Sequence, residues 1–195
     1  FTGRGVTYCA TCDGPLYSGL PVAVVGGGNS GLDAVVQLMK ICPKVYLIEA
    51  MEHLKADQVM VRQAEEAGNV EIFSSTRVIE IHGNGFVDGM TIRKLDNSQT
   101  ITLDVKGVFV EVGLTPNTGF ISDLVTLNEY GEILVDCGCH TGIPGLYAAG
   151  DVTNVPEKQI IIAAGDGAKS ALGAYSYLVR HPSFEDWGAK TTRDW

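Results

Sequence analysis

The sequence predicts an α/β fold: a three-layer domain built on a parallel sheet, carrying an antiparallel β insert, followed by part of a second domain. Three observations lead there. Two short, mainly apolar runs, PVAVV (21–25) and VYLIE (45–49), flank a glycine turn and a stretch of helical periodicity. Further on, RVIEIHGNG, VDGMTIRKL and QTITLDV alternate apolar with polar residues. Near the end, QIIIAAGDGAKSALGAYSYLV reads as one long amphipathic helix, from Gln159 to about Val179. The expected boundaries are 1–110 for the first domain, 111–180 for the second and 181–195 for a polar tail.

Each element has its own reason. A continuous apolar run ended by glycines is how a strand buried on both faces reads. After the glycines, Leu32, Val35, Val36 and Met39 recur at helical spacing, with a stop at Pro43. Strand, turn, helix and strand make a βαβ unit with a right-handed crossover. QVMVRQAEEAG predicts a second helix capped by Gly68. The alternating segments, with HGNG and DNSQ as turn signals, predict antiparallel strands that have one solvated face. GVFVEVG, GEILVD and LYAAG are further expected strands.

Composition narrows the classes. Among 195 residues, 45% are hydrophobic and 19% charged, which is ample for a buried core. The net charge of -9 argues against a nucleic-acid surface, and no apolar run is long enough for a membrane span. Five cysteines fit a framework of paired disulfides poorly. Cytoplasmic location is the expectation, with Cys9/Cys12 and Cys137/Cys139 read as redox or metal pairs and Cys42 as packing.

Gly26-Gly-Gly28-Asn29-Ser30-Gly31 has the spacing G-x-G-x-x-G between an expected strand and an expected helix. That context suits a Rossmann-like, dinucleotide-binding turn. Gly26 permits the turn, Gly28 lets a pyrophosphate approach, and Gly31 allows close helix packing. Asn29 and Ser30 open the helix, whose free N–H groups favour phosphate. Glu49, ending the next strand, can accept from both ribose hydroxyls and would repel a 2′-phosphate. No arginine follows it before Lys55, the only positive charge close in sequence, so NADH is favoured over NADPH.

Cys9-Ala-Thr-Cys12 suits thiol exchange, which needs two sulfurs within bonding reach and one stabilised thiolate. A zinc site drawing on Cys137 and Cys139 is the alternative, though its donors would be crowded. Asp13, adjacent to Cys12, is placed to move a proton.

GRGVTYCATCDGPLYSG followed by VAVVGGGNSG resembles the low-molecular-weight thioredoxin reductase family, and more closely the flavoprotein branch of the bacterial alkyl hydroperoxide reductases. LIEAMEHLKADQV, VFVEVGLTPNT, GEILVD and LYAAGDVTNVPEKQIIIAAGDGAKSAL continue the match. The resemblance implies an NADH-linked flavin disulfide oxidoreductase, in which electrons pass from NADH through FAD to the Cys9–Cys12 disulfide and on to a partner disulfide. It implies that Cys12 faces the flavin, Cys9 exchanges with the partner, and Asp13 is the acid/base. Asp151 would contact the ribityl-phosphate region of FAD, Gln159 and Ile160 would sit near its ring, and Gly113 joins the cofactor-binding set. The acceptor would be thioredoxin, a peroxiredoxin or a glutaredoxin-like domain.

Two departures carry expectations. The arginines that hold the NADPH 2′-phosphate in thioredoxin reductases are absent. The family's first segment, with its own G-x-G-x-x-G for FAD, is also absent, so the second domain is expected to be the C-terminal part of an FAD-binding domain. A truncated or split form is expected, with homodimerisation covering its exposed apolar faces. The alternative is an NADH-binding module without bound flavin or catalysis.

Overall fold

A computed structural model of the chain describes residues 1–181. It divides into two compact units, Phe1–Gly113 and the residues from Leu114 onward. Apart from His181, the tail expected over 181–195, with Trp187 and Trp195, lies outside the described residues.

The first unit is a five-stranded parallel sheet in the order β1-β8-β2-β3-β4. Its strands are β1 (Val6–Thr7), β2 (Val22–Val25), β3 (Val45–Ile48), β4 (Val70–Phe73) and β8 (Gly107–Val110). β2 lies between β8 and β3, which explains why its sequence is apolar at every position. Successive side chains point to opposite faces. Val22 and Val24 join one core cluster with Leu32, Val35 and Leu38 of helix α2 (Asn29–Leu38). Ala23 joins the other, with Val87, Met90 and Ile92 of β6 (Phe86–Lys94).

That second face is covered by an antiparallel sheet of β5 (Thr76–Asn84), β6 and β7 (Thr100–Leu103). Helices, parallel sheet and antiparallel sheet are the three expected layers. The β5–β6 hairpin closes at Gly85, whose φ of 91° gives the left-handed conformation the tight turn requires.

Four details depart from the sequence reading. β1, β4 and the short helix α1 (Ala10–Asp13) were not expected, because two to four residues carry too little periodicity to register. α2 ends at Leu38, well before Pro43. Helix α3 (Gln58–Glu66) leaves through Ala67 in extended conformation, and Gly68 is not a left-handed cap. GEILVD and LYAAG are not strands; Ile133 and Tyr147 make only isolated bridges. Their β pattern finds no neighbouring strand among the described residues of the second unit, so no ladder forms.

The second unit is built around helix α4 (Ile160–Arg180), entered through a 3₁₀ turn at Gly150–Val152. Asp166 is the buried residue of α4, while Ile160, Ile161, Leu172, Tyr175 and Val179 are exposed. No helix among the described residues is long and apolar enough to cross a membrane.

Phe109 is fully buried in the first unit, edge-on to Tyr17 with ring centroids 5.3 Å apart. Phe109→Ala is expected to cost about 3–5 kcal/mol. The measurement is a lower urea midpoint at unchanged slope.

Candidate functional site

The carboxyl ends of β2, β3 and β8 open into a cleft of about 600 Å³. It is lined by residues 25–30, 48–50, 76–78 and 111–113, so Gly26, Gly28, Asn29, Ser30, Glu49 and Gly113 all border it. Crevices at this end of a parallel sheet are where such folds take ligands. Gly31 is buried behind the loop.

The glycines divide their work. Gly26 has φ +117°, and a Cβ there would come 2.2 Å from the carbonyl oxygen of Glu111. A Cβ on Gly31 would come 1.8 Å from the carbonyl oxygen of Gly26. These two glycines are required by the packing of the fold itself. Gly28, the N-cap of α2, has open space where its Cβ would be. Among the glycines of the loop, only there does the lack of a side chain leave room for something from outside.

Around the loop the polar contacts are mostly with backbone. Glu49 accepts from Gly27 N at 2.5 Å and from Met51 N at 2.7 Å, one bond to each carboxylate oxygen. Each oxygen keeps acceptor capacity for a hydroxyl. The side-chain Oδ1 of Asn29 accepts from Asp57 N at 2.8 Å and so ties α2 to the start of α3. Lys55 pairs its backbone with the loop, donating to Gly27 O at 2.9 Å. It is not the only nearby cation. Arg77, at the start of β5, lines the cleft on the Glu49 side. Sequence reasoning missed it because β5 is remote in the chain, and only the position of its first residues beyond the end of β4 brings it there.

Cys9 and Cys12 are joined as a disulfide across the first turn of α1. Cys9 caps that helix, its Sγ accepting from Cys12 N at 3.1 Å. Cys12 is exposed and Cys9 half-buried. Asp13 accepts from the Thr7 hydroxyl, which anchors its carboxylate toward β1. Glu111, another residue the sequence did not flag, is half-buried at the end of β8 and lines the cleft. Burial pushes the Glu111 carboxyl above the usual carboxylate range; the backbone of Ala10 opposes this and the charge of Asp33 adds to it. The disulfide and the cleft lie within one unit.

The other cysteines differ. Burial pushes the Cys42 thiol up to about 11, and it donates to Tyr17 O at 3.4 Å, a packing role. Cys137 is exposed and Cys139 buried, both as free thiols. With Cys9 and Cys12 bonded to each other, the zinc alternative lacks its thiolates. Among the described residues, no group of three or more His, Cys, Asp or Glu is arranged to hold a metal ion.

Asp151, Gln159 and Ile160 belong to the second unit. Asp151 is exposed in the 3₁₀ turn, Gln159 is the N-cap of α4, and Ile160 is exposed in its first turn.

The profile of the family described as pyridine nucleotide-disulphide oxidoreductase matches residues 1–168. The chain is 45% identical over 181 residues to the F subunit of alkyl hydroperoxide reductase from Pseudomonas putida, covering 92% of this chain and 35% of that protein. The corresponding protein of Escherichia coli (strain K12) is 44% identical over 178 residues, covering 91% of this chain and 34% of that protein. Thioredoxin reductase from Streptococcus pyogenes MGAS5005 superposes with a TM-score of 0.85 at 35% identity, over 91% of this chain and 58% of that one. The Giardia duodenalis thioredoxin reductase gives 0.81 at 33% identity, over 90% and 58%. The chain thus spans about a third of the length of the curated relatives it matches.

The two glycine classes separate experimentally. Gly31→Ala is expected to lower stability by at least about 1–3 kcal/mol, the cost of overpacking. Gly28→Ala should leave thermal unfolding nearly unchanged while weakening binding of a pyridine dinucleotide offered to the cleft. Calorimetry and a melting curve on both variants check this.

Proposed function

The chain belongs to the pyridine nucleotide-disulphide oxidoreductase family, and from that premise we propose that it transfers electrons from NADH to its Cys9–Cys12 disulfide and onward to a disulfide of a partner. The observation that carries this reading is a disulfide held in the same compact unit as an open glycine-loop cleft.

In this reading 1–110 is the nucleotide domain and 111–180 a portion of an FAD-binding domain. Gly26, Gly28, Ser30 and Gly31 shape the pyrophosphate seat, with α2 offering its free N–H groups. Glu49 receives the adenosine ribose hydroxyls. Its carboxylate disfavours a 2′-phosphate, whereas Arg77 would attract one, so the preference for NADH over NADPH rests on the balance of these two residues.

FAD fits the residues present. Gly150 and Asp151 precede α4, and that helix opens with the exposed apolar pair Ile160 and Ile161 after Gln159. An apolar surface beside helix N–H groups suits a flat aromatic ring that gathers negative charge. When bound, FAD supplies two-electron chemistry between a reduced nicotinamide and a disulfide.

The residues of the chain then handle thiols and protons. In the dithiol, the Cys9 thiolate attacks one sulfur of the partner disulfide, and the other sulfur leaves as a thiolate. Cys12 attacks the mixed disulfide at Cys9, restoring Cys9–Cys12 and releasing the second partner thiolate. Asp13 exchanges the protons of this pair, and Thr7 fixes its orientation. Thioredoxin, a peroxiredoxin or a glutaredoxin-like domain would suit as acceptor. We propose a homodimer, since α4 leaves Leu172, Tyr175 and Val179 exposed, and a cytoplasmic setting, where Cys137 and Cys139 stay reduced.

The test is an absorption spectrum of the chain after FAD addition and desalting, followed by anaerobic NADH. A retained flavin band that bleaches supports the electron path, and Cys12→Ser should then abolish NADH-driven disulfide reduction. A chain that binds NADH but keeps no flavin would instead be a nucleotide-binding module.

Nucleotide choice gives a separate expectation. Glu49→Ala should weaken NADH by about tenfold or more, the loss of hydrogen bonds to a charged acceptor. Arg77→Ala should weaken NADPH more than NADH. Titration of both nucleotides against each variant measures this.

A further inference from the structure

The sequence holds two close cysteine pairs, and the electron path above uses only one. The second, Cys137-Gly138-Cys139, lies in the second unit with both thiols free. One carboxylate pins its turn. Asp136 Oδ1 accepts from Gly138 N at 2.8 Å, from His140 N at 3.0 Å and from His140 Nδ1 at 2.9 Å. Asp136 O accepts from Cys139 N at 2.9 Å and closes the turn. The His140 ring lies over Gly138, where a Cβ would come 2.6 Å from it.

Helix α4 forms the floor. Cys139 is buried, and its thiol donates to Asp166 O at 3.6 Å. Lys169 ties the turn to the helix, donating to Cys137 O at 3.2 Å and pairing with Asp166 Oδ1 at 2.8 Å. Asp166 is buried too, and among the described residues neither its Oδ2 nor Ser170 Oγ, one turn on, has a hydrogen-bond partner. Buried polar atoms left unpaired are exceptions in folded chains, and redox sites are among the places that hold them. Cys137, in contrast, is exposed.

We propose that Cys137 and Cys139 are a second thiol–disulfide exchange pair, reduced at rest and oxidised by small disulfides, with Cys137 attacking and Cys139 resolving. The pair stands apart from the nucleotide and flavin reading, since it needs neither group.

Access sets the order, because an exchange begins at the thiol a disulfide can reach. Residues two apart have Cα atoms no more than about 7 Å from each other, and a turn brings them closer. A disulfide spans about 4.4–6.8 Å between Cα atoms. Little holds the Cys139 sulfur where it is, since a thiol is a weak donor. The Cys137 thiolate attacks one sulfur of oxidised glutathione, forming a mixed disulfide and releasing one glutathione thiolate. Cys139 then attacks the Cys137 sulfur, forming the Cys137–Cys139 bond and releasing the second glutathione thiolate. In sum, two cysteine thiols give two electrons and two protons to one glutathione disulfide, which becomes two glutathione thiols.

The experiment uses the full chain without nucleotide or flavin, in buffers of varied reduced-to-oxidised glutathione ratio. Samples are quenched in acid, alkylated, cut with trypsin and weighed. Cleavage after Lys106 and Lys158 isolates Cys137 and Cys139 in residues 107–158, apart from Cys9, Cys12 and Cys42. In the parent, that peptide should pass from two alkylated thiols to an internal disulfide, with glutathione bound only in passing. Cys139→Ser should lose the internal disulfide and keep glutathione on Cys137. Cys137→Ser, an exposed change that covers a Cys139→Ser chain that fails to fold, should leave Cys139 unmodified until urea unfolds the chain. Three results overturn the proposal: both thiols stay reduced at every ratio, glutathione accumulates on Cys137 of the parent, or the folded Cys137→Ser chain takes glutathione on Cys139 as fast as the parent reacts. None of them bears on whether the chain binds NADH or FAD, which the spectrum above decides.

Discussion

The carbonyl oxygen of Gly26 occupies the place where any side chain at residue 31 would begin, and the arrangement of the first unit depends on that close approach. It lets α2 start directly beneath the end of β2. Leu32, Val35 and Leu38 then fall onto the face of the sheet where Val22 and Val24 project. The same approach leaves the N-terminal turn of α2 facing the cleft, with Gly28 open. Packing and site are thus set by one contact, and a larger residue at position 31 would disturb both.

A second close approach extends this outward. Gly26 also lies against the Glu111 carbonyl, so the loop is pressed between the end of β8 and the start of α2. β8 is the strand to which β1 pairs, and the chain passes from β1 through Cys9 into α1. The disulfide is therefore placed by the same strand that closes the cleft. The sequence sets Cys12 near Gly26, and in space they are connected through β8, far along the chain, and directly from α1 to α2, where the Thr11 hydroxyl donates to Gln37 Oε1 at 3.1 Å.

This explains what could be read from the sequence. β2, α2 and β3 are consecutive, each strand is buried on both faces, and the helix has one apolar stripe, so local pattern suffices. The turn at Gly26 and the close packing at Gly31 were legible for the same reason, since both belong to a turn formed by neighbours, although the carbonyl of Glu111 that presses on Gly26 comes from far along the chain. Glu111 and Arg77 were not, because nothing in VFVEVG or STRVIE distinguishes a charge facing a cleft from one facing water. The expected strands at GEILVD and LYAAG failed differently. Their residues suit a strand, but a strand also needs a partner, and alternation records only the capacity to pair. The reading of Lys55 as the lone nearby cation failed because distance along the chain is a poor guide at the ends of a parallel sheet.

The two units also differ in how they use apolar surface. The first has a core on each side of its sheet, with Val22, Ala23 and Val24 removed from water entirely. In the second, α4 turns Ile160, Ile161, Leu172, Tyr175 and Val179 outward. Burial is worth roughly 25 cal/mol per Å² of apolar surface, and large side chains left in water forgo it. Large apolar side chains exposed on one helix are typical of surfaces that meet a ligand or another chain. Under the proposed reading the two ends of α4 divide that role, Ile160 and Ile161 toward the flavin ring, Leu172, Tyr175 and Val179 toward a second copy. The first unit can then fold on its own core, while the second gains its burial from what it binds. Binding and folding would be most tightly linked there, and the nucleotide cleft least affected by the loss of either partner.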